Sequence, residues 1–266
     1  APVGEVAVVT VSLEQLRQAF LDGEIFAMFQ PQVEFSNGKV VGVEALARWR
    51  LPDGRMVPAN QFIPMIENGG MIEELTHLML VQSCEWHRRW KQEGLNLRIS
   101  VNVSAHNLTG PEVADRYEKV LREHGVSPED IILEITESSV MSDTARGLGM
   151  LARLRLKGFG LSVDDFGTGY SSLAQLSQIP FTELKIDYGF VNDSPNQPRK
   201  RAVIEASLDL ARKLNLHVVA EGVETMEEWQ LLAQLGCHFA QGYLISPPVD
   251  GDKLQDAIQN WRKAHH

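Results

Sequence analysis

The sequence predicts an α/β fold: a single (β/α)8 barrel of the TIM type whose first two strands form an antiparallel hairpin. Three observations carry that expectation. Eight strand-like runs follow one another with helical patterns between nearly all of them, the rhythm of a parallel barrel. The 266 residues match the roughly 250 usual for one such barrel. The first two runs are joined by a link too short for a helical crossover, so pairing as a hairpin is open to them. A doubly wound open sheet is the alternative that the same alternation leaves open.

In chain order, Leu13, Leu16, Ala19 and Phe20 recur at helical spacing over 11–22, with Ser12 as cap and Gly23 past the end. Strands are expected over 26–33 and 40–49, either side of a turn at Ser36, Asn37 and Gly38. Helical patterns over 60–68 and 72–93 lead to a strand at 97–104. Helix 111–124 then leads to strand 131–136, helix 142–157 to strand 160–164, and helix 170–178 to strand 182–187. Helix 199–214 leads to strand 217–221, helix 225–235 to strand 239–244, and a last helix covers 251–263. The stretch from Leu161 to Leu173 organises the rest. An alternating run ends on the adjacent carboxylates Asp164 and Asp165, turns through Gly167, Thr168 and Gly169, and reaches Ser171 and Ser172 as helix N-cap residues.

An apolar fraction of 44% and a charged fraction of 23% describe a globular domain with material for a sizeable core. The formal charge of -10 argues against a broad interface with duplex nucleic acid, and an anionic substrate would need cations gathered locally. Cys84 and Cys237 form no metal-like pair and read as core thiols of a reducing compartment. No secretory signal and no run of the ~18 apolar residues that a span requires is present. The chain starts at Ala1, without methionine, which suits a piece of a longer, multidomain protein.

The strands carry a second regularity. Ser100, Asn102 and Ser104 share one face of their strand and Ile99, Val101 and Val103 the other. Glu134 lies between Leu133 and Ile135, Asp164 lies opposite Val163, and Lys185 and Asp187 lie opposite Leu184 and Ile186. Glu44, Glu221 and Gln241 occupy matching places near their strand ends, and Glu137 and Glu224 follow close by. In a barrel the apolar face meets the helices, so the carboxylates point inward, where each needs a partner. A cation at the barrel mouth would serve them all. Oxygen donors without His or Cys suit Mg²⁺ or Mn²⁺, and two such ions ~4 Å apart can hold and hydrolyse a phosphodiester. A metal-free glycosidase, working through an acid/base carboxylate pair, is the competing reading of the same acids.

The residues also carry a resemblance. Glu44, Ala45 and Leu46, followed by Arg48, stand in order with Phe29-Gln30-Pro31, Phe62-Ile63-Pro64, Ser100 to Ser104 and Leu133 to Glu137. Asp164 to Gly169, Leu184 to Asp187, Ala220 to Glu224 and Gln241 to Tyr243 complete the series. Over roughly 13–261 the chain resembles the EAL family of cyclic di-GMP phosphodiesterases. The resemblance implies Mg²⁺- or Mn²⁺-dependent hydrolysis of cyclic di-GMP to linear pGpG in bacterial signalling, two ions per site, and a cytoplasmic setting. It places Glu44, Asn102, Glu134 and Asp164 on the first metal, and Asp164, Asp165 and Glu221 on the second. Glu221 is a ligand or the general base, and both roles stay open. Lys185 would orient the attacking water or the phosphate, unless it only pairs with Asp187. Gln241 would support the site and the substrate, which Gln30, Leu46, Arg48 and Asp165 would also contact. Glu137 would anchor the loop from Asp165 to Gly169, with Asp187 and Glu224 as supporting acids. Glu224 could equally be a solvated residue at a helix start. The family also suggests a homodimer through helices near 170–178 and 196–214, a regulatory domain elsewhere in the protein, and, as the alternative activity, a cyclic di-GMP sensor that does not cleave. Gln32 and the pair Pro247 and Pro248 depart from the common pattern.

Overall fold

The computed structural model describes residues 10–104, 107–108, 110, 112–137, 144–167 and 178–265. Among the described residues the strands are β1 (Ile25–Glu34), β2 (Val40–Arg50), β3 (Met56–Val57), β4 (Arg98–Asn102), β5 (Ile131–Thr136), β6 (Gly160–Phe166), β7 (Glu183–Ile186), β8 (His217–Ala220) and β9 (Phe239–Gln241). They run in the order β1-β9-β8-β7-β6-β5-β4-β2-β3, and β1 also pairs with β2, so the sheet closes into a barrel and the open-sheet alternative falls. β1 is antiparallel to both neighbours, β2 and β9. Every pair from β2 and β4 round to β9 is parallel. The expected hairpin is therefore what reverses β1, because the link 35–39 has no length for a crossover. The two-residue β3, which the sequence pattern did not announce, only extends the far end of β2.

The helices are α1 (Leu13–Leu21), α2 (Ala59–Asn68), α3 (Ile72–Gln92), α4 (Val113–His124), α5 (Thr144–Leu156), the one-turn α6 (Tyr188–Val191), α7 (Pro198–Leu214), α8 (Met226–Leu235) and α9 (Leu254–His265). Ser12 caps α1 in a reciprocal box with Gln15, and Thr225 does the same for α8 with Glu228. The helix expected at 170–178, with Ser171 and Ser172, falls largely outside the described residues. Strands expected to reach 104, 187 and 244 stop at Asn102, Ile186 and Gln241.

The core lies between the outer face of the barrel and the helices, where Ile99, Leu133, Leu161 and Val218 meet residues such as Leu80 and Leu208. Phe29 meets Trp90 edge to face at 4.8 Å, fixing β1 against α3. Both cysteines are buried in the core cluster, and burial pushes their thiols up to about 12. The barrel interior differs from the branched apolar filling usual in this architecture. Gln30, Gln32, Ser100, Ser162, Glu183 and Lys185 are all buried, so the inward faces are polar as their alternation predicts.

Candidate active site

Lys185 is the centre of the interior. It sits on β7 between Leu184 and Ile186, which pack outward, and is fully buried. Its Nζ lies 2.7 Å from Glu221, 2.8 Å from Glu134, 3.2 Å from Glu44 and 3.4 Å from Asp164. These acids come from β2, β5, β6 and the residue after β8, so one ammonium joins four walls of the barrel. Asp187, expected as its possible partner, instead accepts the Gly189 N–H at 2.9 Å and caps α6. The strand ends one residue earlier than expected, so Asp187 caps α6, while its charge still acts on Asp165.

Glu44 is held by a fan of donors. Asn102 Nδ2 donates to its Oε1 at 2.8 Å, leaving the amide carbonyl as an available ligand, and Gln241 Nε2 donates to its Oε2 at 2.6 Å. Gln241 Nε2 also donates to Gln30 Oε1 at 3.0 Å and its Oε1 accepts from Gln32 Nε2 at 3.0 Å, while Gln30 Nε2 donates to the Ser246 carbonyl at 3.1 Å. Gln32, read from the sequence only as a departure, is thus part of the network that orients Gln241. Its spacing of two from Gln30 on one face of β1 was the signal. Glu183 was missed in the same way. It stands two residues before Lys185 on the inward face, buried, and neither oxygen has a hydrogen-bond partner of good geometry.

On a regular strand Asp164 and Asp165 would point to opposite faces. The β6–β7 register shifts between Val163 and Phe166, and Asp165 adopts a left-handed backbone, φ 55°. The bulge turns both acids to one side. An oxygen of Asp164, one of Asp165 and one of Glu221 lie within 4.8 Å of one another. Glu137, nearly fully buried just past β5, accepts the Gly167 N–H at 2.9 Å, immediately beyond that bulge. Thr168 and Gly169, the rest of the loop assigned to Glu137, lie outside the described residues. Gly242 lets the exit of β9 close on the Glu221 loop, since a Cβ there would meet Val223 backbone at 2.1 Å. Glu224 is exposed, and its backbone N–H, not its carboxylate, joins the local network.

Beside this cluster a cleft of about 310 Å³ is lined by Leu46, Arg48, Ala59, Ile63 and Glu67, and reaches Asn102 and Glu134. Burial lowers the Arg48 guanidinium, against the opposing pull of Glu44 and Tyr243, which places Arg48 within electrostatic reach of both.

The charges do not balance internally. Glu44, Glu134, Asp164 and Glu221 meet one ammonium and Asp165 lies beside Asp164 and Glu221, an excess of four negative charges that two divalent cations would neutralise. Protons are the alternative. Burial, and then Glu44, push Glu134 well above the carboxylate range, burial pushes Glu221 up to about 8, and burial with Asp164 raises Asp165. Burial opposes the charge on Glu44 as well, but Lys185, Gln241 and Asn102 outweigh it and hold that carboxyl low. Burial also opposes the Lys185 ammonium, and the surrounding acids reverse the effect and hold it well above the usual range. Glu134 Oε1 is buried without a partner, and every donor in the set is oxygen, so the residues fit hard cations such as Mg²⁺ or Mn²⁺.

A closed α/β barrel with a carboxylate-rich site at its strand ends is the class of protein that the fold and the site define. Within that class the chain belongs to the EAL family: the EAL domain model matches residues 13–248. Among its relatives, the bifunctional diguanylate cyclase/cyclic di-GMP phosphodiesterase MucR of Pseudomonas aeruginosa is 39% identical over 92% of this chain and 36% of its own length. The cyclic di-GMP phosphodiesterase RocR of the same organism is 37% identical over 88% of this chain and 60% of its own. A solved structure of the PaMucR phosphodiesterase in complex with c-di-GMP superposes with a TM-score of 0.87, at 39% identity, over 91% of this chain and 98% of that one. The chain spans about a third of MucR.

Proposed function

We propose that this chain is a divalent-metal phosphodiesterase that hydrolyses cyclic di-GMP to linear pGpG. The observation that carries the reading is the convergence of four carboxylates from separate strand ends on Lys185, with Asp165 beside Asp164 and Glu221, next to a cleft that reaches Asn102 and Glu134. The chain's similarity to cyclic di-GMP phosphodiesterases supplies the substrate class.

Glu44, Asn102, Glu134 and Asp164 would hold one ion, and Asp164, Asp165 and Glu221 a second. Bound there, two Mg²⁺ or Mn²⁺ ions polarise the phosphoryl group and make water more acidic. Water adds to phosphorus, the bond to one O3′ breaks, and the proton passes to that oxygen, leaving a 5′-phosphate on linear pGpG. The protein's own groups set the geometry. Lys185, 2.7 Å from Glu221, presents its ammonium to the attacking water or the phosphate. Glu221, 2.7 Å from the Lys185 ammonium, serves either as a ligand of the second ion or as the base that takes the proton water gives up. Gln241 and Gln30 keep Glu44 in place from behind. Leu46 and Arg48 line the cleft on the side where a guanine nucleotide would lie. Glu137 fixes the bulge carrying Asp165 through Gly167.

The relatives' greater length supports a regulatory domain elsewhere in the protein, and a homodimer through helices near 170–178 and 196–214 belongs to the same proposal. So does a cytoplasmic setting. Among the described residues no helix is long and apolar enough to cross a membrane. Incubation with cyclic di-GMP and Mg²⁺, followed by chromatography, tests the reading. It predicts pGpG, lost on adding chelator. Tight binding of uncleaved cyclic di-GMP would instead make the chain a sensor, and chelator-resistant cleavage of a glycoside would return the competing class.

A further inference from the structure

Glu228 stands outside the acidic mouth, yet it is 2% exposed on the first turn of α8 and bonds three backbone N–H groups from two different loops. Its Oε2 accepts from Glu224 at 2.9 Å and from Thr225 at 3.1 Å, in the loop that begins with Glu221. Its Oε1 accepts from Asp193 at 2.8 Å, in the segment that follows β7 and carries Asp187 and α6. A capping box needs only the bond to the Thr225 N–H, so the bridge to Asp193 is additional.

Both loops are built to receive it. Asp193 adopts a left-handed backbone, φ 59°, and its carboxylate accepts from Asn196 Nδ2 at 2.8 Å and Gln197 Nε2 at 2.7 Å, which fixes the N–H toward Glu228. Gly222, φ 64°, lies against Tyr188 of α6, where any Cβ would come within 2.2 Å of the ring. The Glu221 N–H donates to the Ile186 carbonyl at 3.1 Å. The exits of β7 and β8 therefore touch at three levels, and Glu228 closes the outermost.

We propose that Glu228 is a positioning residue that clamps the Glu221 loop to the exit of β7, and so holds Glu221 in register with Lys185 and Asp164. The proposal rests on the metal-site reading above. A carboxylate that supplies two acceptor oxygens to three donors cannot be replaced by an amide without turning an NH2 toward one set of N–H groups. Glu228→Gln keeps shape and burial and breaks one side of the clamp. Thr225→Ala removes the helix cap but leaves the contacts to Asp193 and Glu224.

Mn²⁺ binding to the whole chain is titrated by calorimetry for the wild type and both variants, alongside kcat and KM on cyclic di-GMP. Glu228→Gln should weaken Mn²⁺ binding and lower kcat, each by roughly 10-fold, with KM within about twofold. Thr225→Ala should lower the melting temperature while leaving Mn²⁺ affinity and kcat near wild type. Mn²⁺ affinity unchanged in Glu228→Gln, or lowered as much in Thr225→Ala, overturns the clamp. A wild-type chain that binds Mn²⁺ and loses affinity in Glu228→Gln, but releases no pGpG, sinks the phosphodiesterase reading and keeps the clamp. A wild-type chain that does not bind Mn²⁺ sinks both.

Discussion

Replacing Lys185 with Met isolates the charge at the centre of the barrel. Met has nearly the length of Lys and suits an enclosed space, so what changes is the one ammonium facing Glu44, Glu134, Asp164 and Glu221. Removing one partner of a buried ion pair costs about 3–5 kcal/mol. For a chain of this size that corresponds to a melting temperature lower by roughly 5–9 °C. The sign with pH follows from proton linkage. Without the ammonium Glu134 and Glu221, already raised, rise further and Glu44 loses the cation that helps hold it low, so the folded protein binds protons that the unfolded chain releases. The loss is therefore small below about pH 4, near the unfolded carboxylate range, and grows as pH rises toward about 8. Excess Mg²⁺ supplies the missing positive charge and should recover most of the loss. Circular dichroism melts of both proteins across that range, with chelator or with Mg²⁺, measure each part. A Lys185→Met protein that melts with the wild type at the alkaline end in chelator would refute the reasoning, because the acids would then need no internal cation.

Glu44→Ala should abolish pGpG formation, by at least ~100-fold, while the far-ultraviolet spectrum stays that of a folded barrel; retained turnover would contradict the ligand role. Glu137→Ala frees the Gly167 N–H and should slow turnover roughly 10- to 100-fold with little change in KM, and a wild-type rate would remove the anchoring role. Because burial pushes Glu221 up to about 8 and raises Glu134, divalent ions must displace protons. Mn²⁺ affinity should therefore climb between about pH 6 and pH 9, with proton release visible as a dependence of the calorimetric heat on buffer ionisation; flat affinity would contradict it. Glu183→Gln should stabilise the protein by on the order of 1 kcal/mol at neutral pH. Burial raises the folded-state pKa of Glu183, so the cost it removes is present above the unfolded pKa and absent in acid. Melts that show no gain at neutral pH, or the same gain in acid, would rule this out.

The barrel was legible because its strands and helices alternate with so little between them, and its reversed first strand because 35–39 cannot hold a crossover. The inward acids were legible from period-two alternation alone: Glu134 between Leu133 and Ile135 has only one face to take. What alternation could not show was any departure from it. Asp165 joins Asp164 only through a bulge and a left-handed residue, a tertiary outcome of the shifted β6–β7 register. Asp187 looked inward by parity, but the chain had already left the strand to begin α6. Partner choice inside the barrel was equally hidden, since Lys185 meets acids from four strand ends that are far apart in sequence. Glu228 could be read as half of a capping box, whereas its bond to Asp193 needed the two loops in place.

Crystals of the chain soaked in Mn²⁺ and measured at the manganese absorption edge test the central claim most directly. Two anomalous peaks about 4 Å apart, one against Glu44, Asn102, Glu134 and Asp164 and the other against Asp164, Asp165 and Glu221, are the predicted result. A mouth with no peak at saturating Mn²⁺, its acids still paired only with Lys185, would contradict it.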